Sequence, residues 1–147
     1  MKILIVFRRK ERIIWESIKQ MEKKLVKLGH NVDLLSREED LNMNSLSSSM
    51  GGLSVAIEKK DKENNYGIIY TQDWSIAMPL LLPTKTLFEK HYCLFHDVEP
   101  SGAKSRVLQR IVGNMMGTKL VVKTKELKEK FPGAIFSEDG ISKDVLK

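Results

Sequence analysis

Cysteine is nearly absent from this chain: Cys93 is the single one among 147 residues. That excludes an intramolecular disulfide and a metal site built from several thiolates. Long apolar runs are missing too. The longest nearly uncharged one, Ile76 to Pro83, falls far short of the roughly 20 residues that cross a bilayer. The opening MKILIVF lacks a signal-peptide layout, and the expectation is a soluble, cytoplasmic protein. Glycine is missing where two nucleotide-binding motifs need it. Arg8-Arg9-Lys10-Glu11 follows the first apolar run, so neither G-x-G-x-x-G nor the phosphate loop fits there. A Rossmann dehydrogenase or a P-loop nucleotidase is therefore not expected, and no cofactor or metal is implied.

What is present suits one globular domain, residues 1–147. Hydrophobic residues make up 41% and charged residues 30%, and a chain of this size buries about 68–70% of its unfolded surface. The net charge is +6, and its distribution says more than its size. Residues 1–28 hold nine basic and three acidic side chains, and residues 29–147 hold sixteen of each. All the excess lies in the first fifth of the chain.

Lys2 to Phe7 is almost wholly apolar and rich in β-branched residues, the pattern of a strand buried on both faces of a parallel sheet. It reads as the first and central strand. Ile14, Ile18, Met21, Leu25 and Leu28 then recur at helical spacing within about an 80° arc, with Gly29 as the stop. Residues 31–36 read as a second strand. Residues 37–52 are polar and aperiodic, a loop interrupted by at most one short helix. Leu53 to Glu63 reads as a helix with Leu53, Ala56 and Ile57 inward. Three further strands are expected over 67–71, 91–95 and 118–122. Helices fall at Trp74 to Leu82 and at Ser105 to Met116, the latter with Val107, Leu108, Ile111, Val112 and Met115 as its apolar stripe. A short helix over 125–131 stops at Pro132-Gly133, before a last strand over 134–137. This alternation predicts a three-layer α/β/α, Rossmann-like domain with a mostly parallel sheet of about six strands.

Ligands of such sheets bind at the carboxyl ends of the strands, where strand order reverses. His96-Asp97 leaves a strand there. An imidazole can bind an oxyanion or sugar hydroxyl, or move a proton near neutral pH; equally, His96 can satisfy loop backbone while Asp97 caps a turn. Asp73-Trp74 offers a carboxylate and an aromatic to a sugar, or a helix cap with Asp73 accepting from the following amides. Arg8, Arg9 and Lys10 repel one another unless something anionic approaches, and can meet phosphate or anionic lipid head groups. With the lysines of the next helix they form one basic surface, which is also what an ordinary solvated helix face looks like. No nucleic-acid reading motif accompanies that charge, so no nucleic-acid partner is expected. Cys93 reads as an inert core thiol.

Six strand-end segments, in order, resemble the N-terminal half of the family-4 (group 1) glycosyltransferases. They are Lys2 to Phe7, Leu28-Gly29-His30-Asn31-Val32, Tyr70-Thr71-Gln72-Asp73-Trp74, Leu94-Phe95-His96-Asp97, Val121-Val122-Lys123-Thr124-Lys125-Glu126-Leu127 and Glu138-Asp139-Gly140-Ile141. The first loop departs from the family, where a glycine-rich pair stands in place of Arg8-Arg9-Lys10. The resemblance implies the acceptor-side domain of an enzyme with the two-domain B-type fold, which transfers a sugar from a nucleotide-sugar to a hydroxyl acceptor with retention and without an essential metal. In that picture His96 lies near the transferred sugar and Asp97 orients its loop. Asp73 and Trp74 wall the acceptor crevice, and Arg8, Arg9 and Lys10 meet a sugar or lipid-linked acceptor.

In the family a glutamate pair eight positions apart holds the donor in the second domain, and no two glutamates of this chain have that spacing. The nucleotide-sugar donor would therefore bind only through a second domain or subunit, and the 147 residues are expected to be inactive alone. Two alternatives remain: a non-catalytic Rossmann-like binding or scaffold subunit, and a peripheral module whose basic face meets an anionic membrane surface.

Overall fold

The computed structural model of the chain describes residues 1–81, 85–96 and 102–146. Strand β1 (Lys2–Phe7) pairs on one side with β2 (Asn31–Ser36) and on the other with β3 (Ile68–Gln72). The sheet continues through β4 (His91–Phe95), β5 (Leu120–Val122) and β6 (Ile135–Phe136). All six strands are parallel, in the order β2-β1-β3-β4-β5-β6. Strand β1 is thus interior, one place from the edge. The order reverses between β1 and β3.

Helix α1 (Arg12–Lys27) covers one face of the sheet. Its Ile18, Met21 and Leu25 pack on Ile3, Ile5 and Phe7, the odd-numbered residues of β1, and Val145 from the last described segment joins them. The even-numbered Leu4 and Val6 point the other way, onto Leu53 and Ile57 of α2 (Leu46–Asn64) and Ile76 and Leu80 of α3 (Trp74–Leu81). The short α4 (Lys85–Phe88), α5 (Ala103–Met116) and α6 (Lys125–Lys130) continue that second layer. Right-handed crossovers produce this division: only the β1-to-β2 connection runs towards the β2 edge, so only α1 lies on its face. Leu4, Ile5 and Val6 have no exposed surface. Each such side chain contributes roughly 1.5–3 kcal/mol by leaving water. The result is the three-layer, Rossmann-like α/β domain expected from the alternation.

Four local expectations are revised. Helix α2 begins at Leu46, well before Leu53, because the Ser45 hydroxyl accepts from the Ser48 amide at 3.1 Å while the Ser48 hydroxyl takes the Ser45 amide at 3.2 Å. That reciprocal cap satisfies two amides at the helix start and offsets the poor helix propensity of Ser47-Ser48-Ser49 and Gly51-Gly52. Helix α5 turns only part of its expected stripe to the sheet, with Leu108 and Val112 packed inward as read. Gln109, Val112, Gly113 and Met116 are buried, and Val107, Ile111 and Met115 are exposed. The cause is Gly113: the Phe131 ring lies where a Cβ would stand, so helix and ring approach as only glycine allows. Residues 117–119 form a 3₁₀ turn, which shortens β5 to three residues. In α1, Ile14 and Leu28 of the expected stripe are exposed. Gly29, with φ of +93°, ends that helix as expected.

Candidate functional site at the carboxyl edge of the sheet

The residues just past β1 to β6 gather along one edge. Beyond β1, Arg8, Arg9 and Lys10 are exposed, and each meets a carboxylate of this chain. Arg8 Nε lies 2.9 Å from Glu38 Oε2, and Arg9 pairs with Glu11. The Lys10 amide donates to Glu39 Oε1 at 2.9 Å, and its ammonium stands 5.1 Å over the Trp15 ring. Glu38 also lies 3.6 Å from the buried Arg37. Glu39 is held below the usual carboxylate range, first by the Ser36 hydroxyl and then by the Lys10 amide. The charges of Arg8 and Arg9 are thus answered internally, by carboxylates in the β2–α2 and β1–α1 connections, while the Lys10 ammonium rests on the Trp15 ring.

Past β3, Asp73 adopts a φ of +78°, an uncommon conformation for an aspartate. Its amide donates to the Leu94 carbonyl at 2.8 Å and its own carbonyl accepts from Ala77 at 3.3 Å. This turn starts α3 and leaves the Asp73 carboxylate exposed, 3.5 Å from the Ser75 hydroxyl. Trp74 goes the other way. It is buried against Ala77, Cys93, Phe95 and Val112, a core residue and not an open wall.

His96 follows β4, and its Nε2 lies 2.5 Å from Oε1 of Gln72, the buried last residue of β3. The Gln72 amide nitrogen points towards Met21 Sδ of α1, 4.0 Å away. A buried amide therefore orients the imidazole from below, which sets which ring nitrogen carries its proton. Asp97, the expected neighbour of His96, lies outside the described residues.

Past β5, Lys123 crosses to α1, where its ammonium lies 3.4 Å from the Ser17 hydroxyl. Past β6, the turn Glu138-Asp139-Gly140 is locked in place. Asp139 Oδ1 accepts from the Ser137 hydroxyl at 2.8 Å and the Ile141 amide at 3.0 Å, and its other oxygen pairs with Lys24. Burial works to raise the Asp139 pKa, but the Lys24 bond, the Ile141 amide and the Ser137 hydroxyl together bring it down to about 2. The Gly140 carbonyl accepts from the buried Tyr70 hydroxyl at 2.8 Å, and its φ of +77° brings it against Leu94. Between this turn and α1 lies a cavity of about 270 Å³ lined by Ser17, Gln20, Met21, Lys24, Lys123, Glu138, Asp139 and Ile141.

Six of those eight residues are polar, and they divide into donors (two lysines), acceptors (two carboxylates) and groups that do both (Ser17, Gln20). The formal charges of the lysines and carboxylates cancel. Such a lining suits a neutral ligand with several hydroxyls, each of which both donates and accepts. Met21, which lines the cavity, touches the Gln72 amide that holds His96; His96 is not itself among the lining residues. Among the described residues no group of three His, Cys, Asp or Glu side chains could hold a metal ion. No described helix is long and apolar enough to cross a membrane.

The structure therefore brings His96 together with Gln72, whose amide nitrogen lies 4.0 Å from the cavity-lining Met21; it places Arg8 and Arg9 in carboxylate pairs, the Lys10 ammonium over Trp15, Asp73 on an exposed turn and Trp74 in the core. Sequence reasoning missed Gln72 as an orienting group, and Ser17, Gln20 and Lys24 as lining. Ser17 and Lys24 stand within about 60° of Met21 on the helical wheel, so the border of the α1 stripe was the signal available for them, while Gln20 lies farther round the helix. Against this geometry, no family model, no curated protein and no solved structure matches the chain.

Proposed function

We propose that this domain is the acceptor-binding half of a glycosyltransferase, which holds a hydroxyl-bearing acceptor while a second domain or subunit supplies the nucleotide-sugar. The observation that carries the reading is the polar, charge-balanced cavity at the carboxyl edge, backed by the Gln72–His96 pair. The ordered strand-end resemblance to family-4 glycosyltransferases supports it. The internal pairing of Arg8 and Arg9 favours a neutral polyhydroxylated acceptor group over an anionic one. In this reading His96 lies beside the reacting hydroxyl, Gln72 positions its ring, and Ser17, Lys24, Lys123 and Asp139 grip the remaining hydroxyls.

One domain provides only one wall of an interdomain cleft, so the pure chain incubated with nucleotide-sugars and glycan acceptors is expected to show negligible turnover. Robust turnover by the chain alone contradicts the proposal. Combined with a donor-binding partner, His96→Ala is expected to lower turnover at least about tenfold; near-normal turnover returns His96 to a loop role.

A second reading has its own observation. His96 Nε2 is already occupied by Gln72, an arrangement that orients a ring without leaving that nitrogen for proton transfer. A non-catalytic binding subunit would use the same cavity and need no second half. A co-purifying partner that carries donor-site carboxylates favours the split enzyme, and a partner without them favours the binding subunit.

A further inference from the structure

Helix α5 presents to solvent the side chains that its sequence pattern would bury. Val107 is 58% exposed, and Ile111 and Met115 are each 48% exposed. With Ala103 they form a row at four-residue spacing along one side of the helix. The helix contains no acidic residue and carries Lys104, Arg106 and Arg110. Beside it runs a groove of about 420 Å³ lined by Ala103, Arg106, Val107, Arg110, Ile111 and Lys130. Lys130 reaches over from α6, its ammonium 3.4 Å from the buried Gln109 Oε1.

Among the described residues, three apolar and three cationic side chains and no carboxylate thus line one concave surface, in a part of the chain whose overall charge is balanced. The apolar side chains gain by leaving water, and converging cations gain from an anionic neighbour. The outer face of α1 differs. Its groove contains Glu22, which pairs with Lys19 at 3.2 Å, and a single apolar residue, Val26.

We propose that the groove along α5 docks an acidic amphipathic helix of a partner protein. Apolar side chains of that helix, spaced one turn apart, lie on Val107 and Ile111, and its flanking carboxylates meet Arg110 and Lys130. A concave seat bordered by two helices suits an inserted segment better than a flat lipid surface. This inference stands independently of the glycosyltransferase reading, since the groove shares no residue with the carboxyl-edge cavity.

The test is fluorescence anisotropy of the full chain with a labelled synthetic helix of about 20 residues, leucine at four-residue spacing and glutamate elsewhere. Saturable binding that weakens with added salt is expected. Val107→Ser with Ile111→Ser, and separately Arg110→Glu, are each expected to weaken it about tenfold or more. These side chains are exposed, and an unchanged thermal melt confirms that the variants remain folded. Absence of binding overturns the proposal, as does equal binding of a peptide with lysine in place of glutamate, or wild-type affinity in both variants. Sedimentation with phosphatidylglycerol vesicles in the absence of peptide binding assigns the face to a membrane and also overturns it. So does a dimer in light scattering that the Val107→Ser, Ile111→Ser variant abolishes, which assigns the face to a second copy.

Discussion

The Nε2 of His96 lies 2.5 Å from Oε1 of Gln72, so the last side chain of β3 holds the first side chain past β4. Because a carbonyl oxygen only accepts, this contact makes Nε2 the protonated ring nitrogen. Nitrogen-15 spectra of the imidazole at pH above 7 are expected to show the Nε2–H tautomer. Gln72→Leu should mix the tautomers and cost about 1–3 kcal/mol, the penalty for an abandoned partner in a half-buried pair. A dominant Nδ1–H form in the wild type contradicts the assignment.

His91 makes acid stability a local property of the sheet. It is fully buried at the start of β4, with Nε2 2.8 Å from the Thr71 hydroxyl and no partner for Nδ1 among the described residues. Burial first, and then the Lys119 charge, lower its pKa from 6.5 to about 3. The folded ring stays neutral while the unfolded chain takes up a proton. This contribution to stability is therefore complete above pH 6.5 and is lost as the pH falls towards 3, by about 1.4 kcal/mol per pH unit for one proton. Urea midpoints measured across that window should fall less steeply in His91→Leu than in the wild type. Parallel slopes for the two proteins contradict the account.

Gly113 is the contact on which α5 seats. Phe131 occupies the space of its missing Cβ, and Gly113→Ala should cost about 1–3 kcal/mol despite the better helix propensity of alanine. Chemical denaturation measures that cost directly. Adding Phe131→Leu should recover part of it, and a Gly113→Ala variant as stable as the wild type would show that helix and ring part easily.

The sequence made the layers legible because strand and helix periods are strong wherever one side is buried. Lys2–Phe7, Ile68–Gln72 and His91–Phe95 are apolar enough to be read directly. Helix α2 was hidden because Ser and Gly at its start carry a loop's composition; a side-chain cap and the buried Ser49 and Ser54 make it helical. In α5 the period was right and the face partly so: Leu108 and Val112 pack inward as read, but Gln109, Gly113 and Met116 take the other inward positions, Gly113 because the Phe131 ring lies against it. The strand-end rule found His96 and the basic triplet. It could not find that Glu38 and Glu11 pair with Arg8 and Arg9, or that Lys123 reaches Ser17, because such contacts join residues as far as 106 positions apart.

The central claim is that the cavity beneath α1, backed by Gln72 and His96, holds a hydroxylated ligand. The most direct measurement is an amide-resolved NMR titration of the chain with a panel of glycans and glycolipid head groups. The account predicts saturable shifts at Ser17, Gln20, Lys24, Lys123, Asp139 and His96 for at least one neutral polyhydroxylated ligand, weakened by Lys123→Ala. Shifts confined to other surfaces, or none across the panel, contradict it.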